Sequence, residues 1–588
     1  MKEFLKYTLA TITGIIIASI LLFFIMIGSL AAIVASGDKP VTISDNTILV
    51  LKSGISIPDK GSKNPLAGID VINMELTSVA GLNEILKNIQ KAADDEKIKG
   101  ILIENGLLST GWATTEEIRN ALIKFRESGK FVISYSDYDL TQESYYLSTA
   151  ADMIFINPGS MLDFKGLSSE VLFYKDALEK IGVEVQVTRH GKFKGAVEPF
   201  IMNKLSEENK AQIKAYAGSI WNHIVENIST ARNISSEKLN SIADNLDATL
   251  ASDALENGLV DGLMYRDVLI DTLKSLSGIG TDDKLKTVSM TKYSRIPDRK
   301  QDISKNKLSV IYAKGNIVMG NGNETNIGGN KYADLIRKER EDSNVKAIVL
   351  RVNSPGGNAV AADIIWRELE LAAQVKPVIV SMGNYAASGG YYISAPATKI
   401  YADPTTISGS IGVFGLVPNG RKLMEDKLGL KTEVVNTNSN SDFPSLFRPM
   451  NSREKEIMQK NVENVYSEFV GKVAAGRKMK FADVDSIGQG RVWSGENALE
   501  IGLVDEIGGI EKAIAGAVEI AGLEDYTIRE LPVEEDPYLK LLSQLSGDVK
   551  MSIFKKELGE NVKYLNIIRE VKELNGIQVR LPYYLEIH

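Results

Sequence analysis

The chain has 588 residues, 44% hydrophobic and 24% charged, with 49 Gly, 16 Pro, 3 His and no Cys. This composition excludes wholesale disorder, a collagen-like fibre and a disulfide scaffold, and at roughly 100–200 residues per domain the length implies several domains or one large duplicated unit. The lack of cysteine removes thiol catalysis, Cys-ligated zinc and iron–sulfur chemistry, and a net charge of −8 speaks against a general nucleic-acid binder.

An uncharged run of 31 positions extends from Tyr7 to Gly37, nearly all apolar between Gly14 and Ile27. About 20 such residues cross a bilayer as a helix, which assigns residues 1–40 to a single N-terminal transmembrane anchor. A cleavable signal peptide is the competing reading, because Ala35-Ser36-Gly37 offers small residues. Its apolar core spans only about 7–15 residues, however. Lys2 and Lys6 precede the run and favour a cytoplasmic N-terminus. The remaining chain is then expected outside the cytoplasm, as a body held at the membrane.

That body repeats itself. Lys97–Ile103 reads like Asn344–Leu350, and Gly129–Ile133 like Val375–Ile379, at offsets of 247 and 246. Tyr145-Tyr146-Leu147 matches Tyr391-Tyr392-Ile393, and Ile181-Gly182-Val183 matches Leu428-Gly429-Leu430. Ala254–Asp261 mirrors Ala498–Asp505 at 244. Collinear matches at a nearly constant offset predict two homologous units, at 45–280 and 307–530. A polar linker at 281–306 joins them, and a tail at 531–588 has no partner in the first half. Short β-rich runs alternating with helical ones predict an α/β fold of tandem repeats with largely parallel sheets.

The copies differ where chemistry is expected. The second carries Val352-Asn353-Ser354-Pro355-Gly356-Gly357 after a strand, where the first has Asn105-Gly106-Leu107-Leu108-Ser109-Thr110. A Pro-Gly-Gly turn leaves backbone N–H groups free to face a ligand, although it also suits an ordinary strand-to-helix turn. The next strand ends in Asn384-Tyr385-Ala386-Ala387-Ser388-Gly389-Gly390, which crowds small residues around a serine at a strand-to-helix turn. The first copy has Gln142 there. A structural N-cap is the plain alternative for Ser388.

A serine nucleophile needs a base. His190 and His223 lie in the first copy and His588 at the end of the sequence, so the second copy proper has none. A buried lysine serves instead, because desolvation disfavours its charged form. Lys192 and Lys194 are candidates, with solvated surface charges as the alternative reading. At an offset of 247, Lys194 falls on Ser441. One site built from both copies, a lysine from one and Ser388 from the other, would produce this pattern.

On Asn353–Gly357, Ala387–Tyr392, Ser408–Val413, Lys192–Pro199 and Gly490–Gly495 the sequence resembles the long, duplicated form of the signal peptide peptidase A (protease IV) family in the Clp/crotonase superfamily. The resemblance implies two tandem Clp/crotonase-like repeats and a Ser/Lys dyad, with Ser388 as nucleophile and Lys194, not Lys192, as general base. It implies oxyanion-hole donors at Gly356 and Gly389, support from Gly357, and Ser410 as the hydroxyl that orients the lysine. It further implies hydrolysis of remnant signal peptides and other apolar or unfolded peptides by an acyl-enzyme route, without metal or cofactor. A membrane-anchored homotetramer in the bacterial inner membrane, with the catalytic body on the periplasmic side, completes the expectation. Two other readings remain: a crotonase-like acyl-CoA enzyme, and an inactive membrane-tethered scaffold that binds peptides.

Overall fold

The computed structural model describes residues 2–37, 42–53, 57–61, 69–70, 75–76, 80–108, 110–297, 304–533 and 576–581. Six strands form a wholly parallel first sheet, in the order Gly262–Leu263, Met153–Ile156, Phe131–Ser136, Ile98–Asn105, Thr47–Ser53 and Thr287–Ser289. The second sheet repeats this path. Glu506–Ile507, Lys399–Ala402, Val378–Ala387, Val345–Ser354, Lys307–Lys314 and Thr527–Leu531 run parallel in the same succession. Their apolar runs are buried on both faces, as parallel strands covered by helices require.

Equivalent side chains make equivalent bonds in the two units. Tyr145 donates to Leu259 O and Tyr391 to Leu503 O, at 3.0 and 2.8 Å. Arg232 pairs with Asp261 as Arg477 does with Asp505, and each aspartate accepts from the backbone N–H of the second residue of a neighbouring strand, Ile154 or Ile400, at 2.7 Å. Lys130 and Lys376 each neutralise carbonyls at the end of a preceding helix. These polar pairings explain why the duplication extends beyond the apolar pattern.

Within 281–306, the strand Thr287–Ser289 closes one edge of the first sheet, and Met290 and Tyr293 are buried against its core. Residues 298–303 lie outside the described residues, as do 534–575 and 582–588 of the tail.

A third sheet joins the two units. Glu184–His190 of the first repeat pairs antiparallel with Val413–Asn419 of the second, which pairs antiparallel with the tail strand Gly576–Arg580. That strand in turn lies antiparallel to Gly356–Asn358. Buried ion pairs tie the junction further: Arg351 Nε binds Asp59 Oδ1 at 2.7 Å and Arg351 Nη2 binds Glu117 Oε1 at 2.5 Å.

Residues Lys2–Gly37 form one 36-residue helix over the uncharged run. Ile15, Ile16, Ile17, Ile20, Leu21 and Leu22 are each half or more exposed, unpacked against the body. Side chains at 25–37 lie outside the described residues, and among the described residues no helix is long and apolar enough to cross a membrane.

Candidate active site

The strand Glu184–His190 runs into a turn at Gly191–Lys194, followed by a 3-10 turn at Gly195–Val197. Phe193 N–H donates to Gln489 O at 3.0 Å, while Gln212 Nε2 donates to Phe193 O at 2.9 Å. The two lysines part company in this turn. Lys192 is exposed, its ammonium 5.2 Å from the Phe193 ring centroid, whereas Lys194 is fully buried. The stem of Lys194 passes between two glycines: a methyl on Gly490 would sit 2.7 Å from its Cβ, and one on Gly412 would sit 3.1 Å from its Cδ.

Lys194 Nζ lies 2.8 Å from Ser388 Oγ, 3.0 Å from Ser410 O and 3.1 Å from Ser410 Oγ, within hydrogen-bond reach of all three. All three residues are buried. Burial pushes the Lys194 ammonium well below the ordinary lysine range, because removing it from water penalises the charge. A neutral amine beside a hydroxyl is what proton abstraction at Ser388 requires.

Ser388 occupies the corner between the strand Val378–Ala387 and the helix Gly389–Ser394, at φ 54° and ψ −112°. A side chain is disfavoured in this region, so the surroundings must hold it there. Ser388 N–H donates to Gly409 O, and Tyr392 N–H donates to Ser388 O, both at 2.8 Å. Crowding by Ala386, Ala387, Gly389 and Gly390 is therefore the local signature of a sharp turn that presents a hydroxyl.

Gly356 and Gly389 meet beside this corner. A methyl on Gly356, at φ 98°, would lie 2.6 Å from Gly389 N, and one on Gly389 would lie 3.0 Å from Gly356 Cα. Only bare backbone fits there. Gly356 N–H donates to Ser354 Oγ at 3.1 Å. Gly357 adjoins Ile317, with which it pairs.

The counterpart positions are otherwise engaged. Gln142 Oε1 accepts from the N–H groups of Lys165 and Gly166, both at 2.9 Å. Ser441 is exposed, and its hydroxyl donates to Asn438 O at 2.9 Å. His190 Nδ1 lies 2.5 Å from Glu463 Oε2, and His223 Nε2 lies 3.2 Å from Glu116 Oε1. His588 lies outside the described residues.

Gly412 and Gly490 lie in segments that carry the resemblance, but their role as walls around Lys194 had no sequence signal, and neither had the buried Arg351; the tail strand Gly576–Arg580 was missed as well. Alternation of Ile577, Val579 and Leu581 is the one signal that marked the tail as a strand.

Residues 124–280 and 370–524 match peptidase family S49, and residues 299–406 match the Clp protease family. The chain is 36% identical to "Protease 4" of Haemophilus influenzae over 505 residues, which is 84% of this chain and 81% of that protein. It is 33% identical to "Protease 4" of Salmonella typhi, covering 88% and 85% of the two chains. "Serine protease SPPA, chloroplastic" of Arabidopsis thaliana is 31% identical, covering 87% and 76%.

Proposed function

The chain belongs to peptidase family S49 and is a serine protease, and from that premise we propose that it is a membrane-anchored endopeptidase working through a Ser388–Lys194 dyad. The observation that carries this reading is the 2.8 Å contact between Lys194 Nζ and Ser388 Oγ, made between two repeats with both groups out of water.

Neutral Lys194 takes the Ser388 proton as Oγ attacks a peptide carbonyl. The oxyanion forms against the N–H groups of Gly389 and Gly356, the latter held in this structure by Ser354 Oγ. Lys194 then protonates the leaving amine, and a water activated by the same lysine releases the acyl group. Ser410 fixes the amine through its hydroxyl and carbonyl.

Substrates are extended apolar peptides, remnant signal peptides among them. In this reading the uncharged run Tyr7–Gly37 supplies the anchor, with the body on the extracytoplasmic side of the inner membrane and four chains per assembly. A fluorophosphonate probe tests the reading. It is expected to label Ser388, and Ser388→Ala or Lys194→Ala is expected to abolish labelling and hydrolysis of an apolar peptide. Full activity in either variant would remove the dyad.

A further inference from the structure

The helix Glu207–Arg232 of the first repeat starts at Ser206, whose hydroxyl accepts from Asn209 N–H at 3.3 Å. Gln212, in its second turn, is buried and links the two repeats through one amide. Its Nε2 donates at 2.9 Å to Phe193 O, the carbonyl immediately before Lys194. Its Oε1 accepts from Val492 N–H of the second repeat at 3.1 Å. Asn209, one turn earlier, also accepts from Gln212 Nε2 and lies against Gly195, where a methyl would overlap its amide. The helix therefore grips the residue before Lys194 and the residue after it.

The other end of the amide reaches the rest of the site. Val492 stands opposite Gly409 in an antiparallel pair, and Gly409 O accepts from Ser388 N–H at 2.8 Å. Arg491, next to Val492, accepts through its carbonyl from Ser410 N–H at 2.6 Å. One side chain is thus tied directly to the backbone that carries the lysine, and through a single strand to the backbones of Ser388 and Ser410. Both of its inter-repeat bonds use main-chain groups, so they fix where the chain runs. The duplication supplies a control. At the spacing that relates Arg232 to Arg477, Gln212 falls on Ile457, which is apolar and 36% exposed. The copy without a lysine turn has no amide there to hold one.

We propose that Gln212 is a positioning residue for Lys194: its amide sets the lysine turn against the Ser388 corner, and with it the reach of Nζ to Ser388 Oγ. The proposal rests on the Ser388–Lys194 reading and adds to it a residue that touches neither the peptide nor the reacting atoms. Without the amide, Phe193 O and Val492 N–H lose a shared partner, and the two halves of the dyad lose a direct tie. A misplaced base costs rate because the proton must be taken at a fixed distance. An amine that sits less firmly in its slot is also better hydrated, which favours its charged form.

Gln212→Met keeps the length of the side chain and removes both inter-repeat bonds. Hydrolysis of a fluorogenic apolar peptide by the purified full chain in detergent, followed across pH, tests the proposal. In Gln212→Met, kcat is expected to fall about tenfold with KM held, and the acid limb of the rate is expected to move to higher pH. Labelling of Ser388 by a fluorophosphonate is expected to slow by the same factor as kcat. Gln212→Asn, whose amide is one methylene short of bridging both backbone groups, gives the same comparison if Gln212→Met does not fold. An acid limb that stays at the wild-type position overturns the inference, whatever the melting temperature does, because a merely structural link would lower stability alone. A rise in KM at constant kcat overturns it too, by placing Gln212 in peptide binding. Both results leave the proposed function standing. Failure of the wild type to cleave the peptide or to take the probe at Ser388 overturns the proposed function itself.

Discussion

Val413 of the second repeat pairs with His190 of the first, at the end of an antiparallel ladder that runs to Asn419 opposite Glu184. Just past His190 the chain delivers Lys194, and just before Val413 it delivers Ser410. The ladder therefore sets the position at which Lys194 Nζ meets Ser388 Oγ, although the two residues are 194 positions apart. Duplication let the copies specialise: one strand-and-turn now carries an amine, and one strand-to-helix corner now carries a hydroxyl.

Replacing Lys194 with Met is expected to lower kcat/KM by about 10²–10⁴-fold, the usual worth of a positioned base. The wild-type rate is expected to rise with pH through the lowered pKa of Lys194, since the base must be neutral. Stability carries the same sign. Its folded pKa lies below the unfolded value of about 10.4, so between the two the unfolded chain binds more protons, and falling pH costs up to about 1.4 kcal/mol per unit. Urea midpoints of wild type and Lys194→Met across pH 7 to 10 measure this. Parallel curves would show that Lys194 is not buried as a neutral amine.

Much of this was legible in the sequence, for physical reasons. The strands Ile98–Asn105 and Val345–Ser354 are buried on both faces, so they read as apolar runs whose spacing survived duplication. Ser388 stood out because its strained corner admits only small neighbours. Burial of Lys194 was not readable from composition, because Lys192 and Lys194 differ only in which side of one turn they occupy. Arg351 was invisible for a related reason: its partners Asp59 and Glu117 lie in the other repeat, and no local pattern links them. The tail strand takes its partners from two distant edges, and only its alternation hinted at pairing.

Arg351 is fully enclosed, holding Asp59, Glu117 and Ser381 Oγ, the last at 2.9 Å. Replacing it with Met leaves buried carboxylates from the first repeat uncompensated, which costs about 3–5 kcal/mol. Denaturant unfolding is expected to show this loss. Arg351→Lys is expected to recover only part of it, because an ammonium lacks the fork that reaches both acids. An unchanged midpoint in Arg351→Met would mean the junction does not depend on this pairing.

Asp403 lies near that cluster, and its Oδ2 has no hydrogen-bond partner among the described residues. Burial first, and then the charge of Glu117, hold its carboxyl well above the ordinary range. A raised folded pKa means that the folded chain keeps a proton the unfolded chain releases above about pH 4, so stability falls as pH climbs from there toward the folded pKa. Asp403→Asn is neutral throughout and keeps the shape. It is expected to raise Tm relative to wild type at pH 8 and to show a smaller difference at pH 5. An equal difference at both values would remove Asp403 from the pH dependence.

Ser410 offers Lys194 two acceptors, a carbonyl oxygen at 3.0 Å and a hydroxyl at 3.1 Å. Ser410→Ala removes only the hydroxyl, so the amine keeps the Ser410 carbonyl and Ser388 Oγ. One neutral hydrogen bond is worth about 1 kcal/mol net, which converts to a fall in kcat of roughly five- to tenfold. The loss is expected in kcat with KM held, because the hydroxyl touches the lysine and not the peptide. A rise in KM at constant kcat would place Ser410 in substrate binding instead. Such a result would leave the carbonyl of Ser410 as the only group of that residue that orients the base.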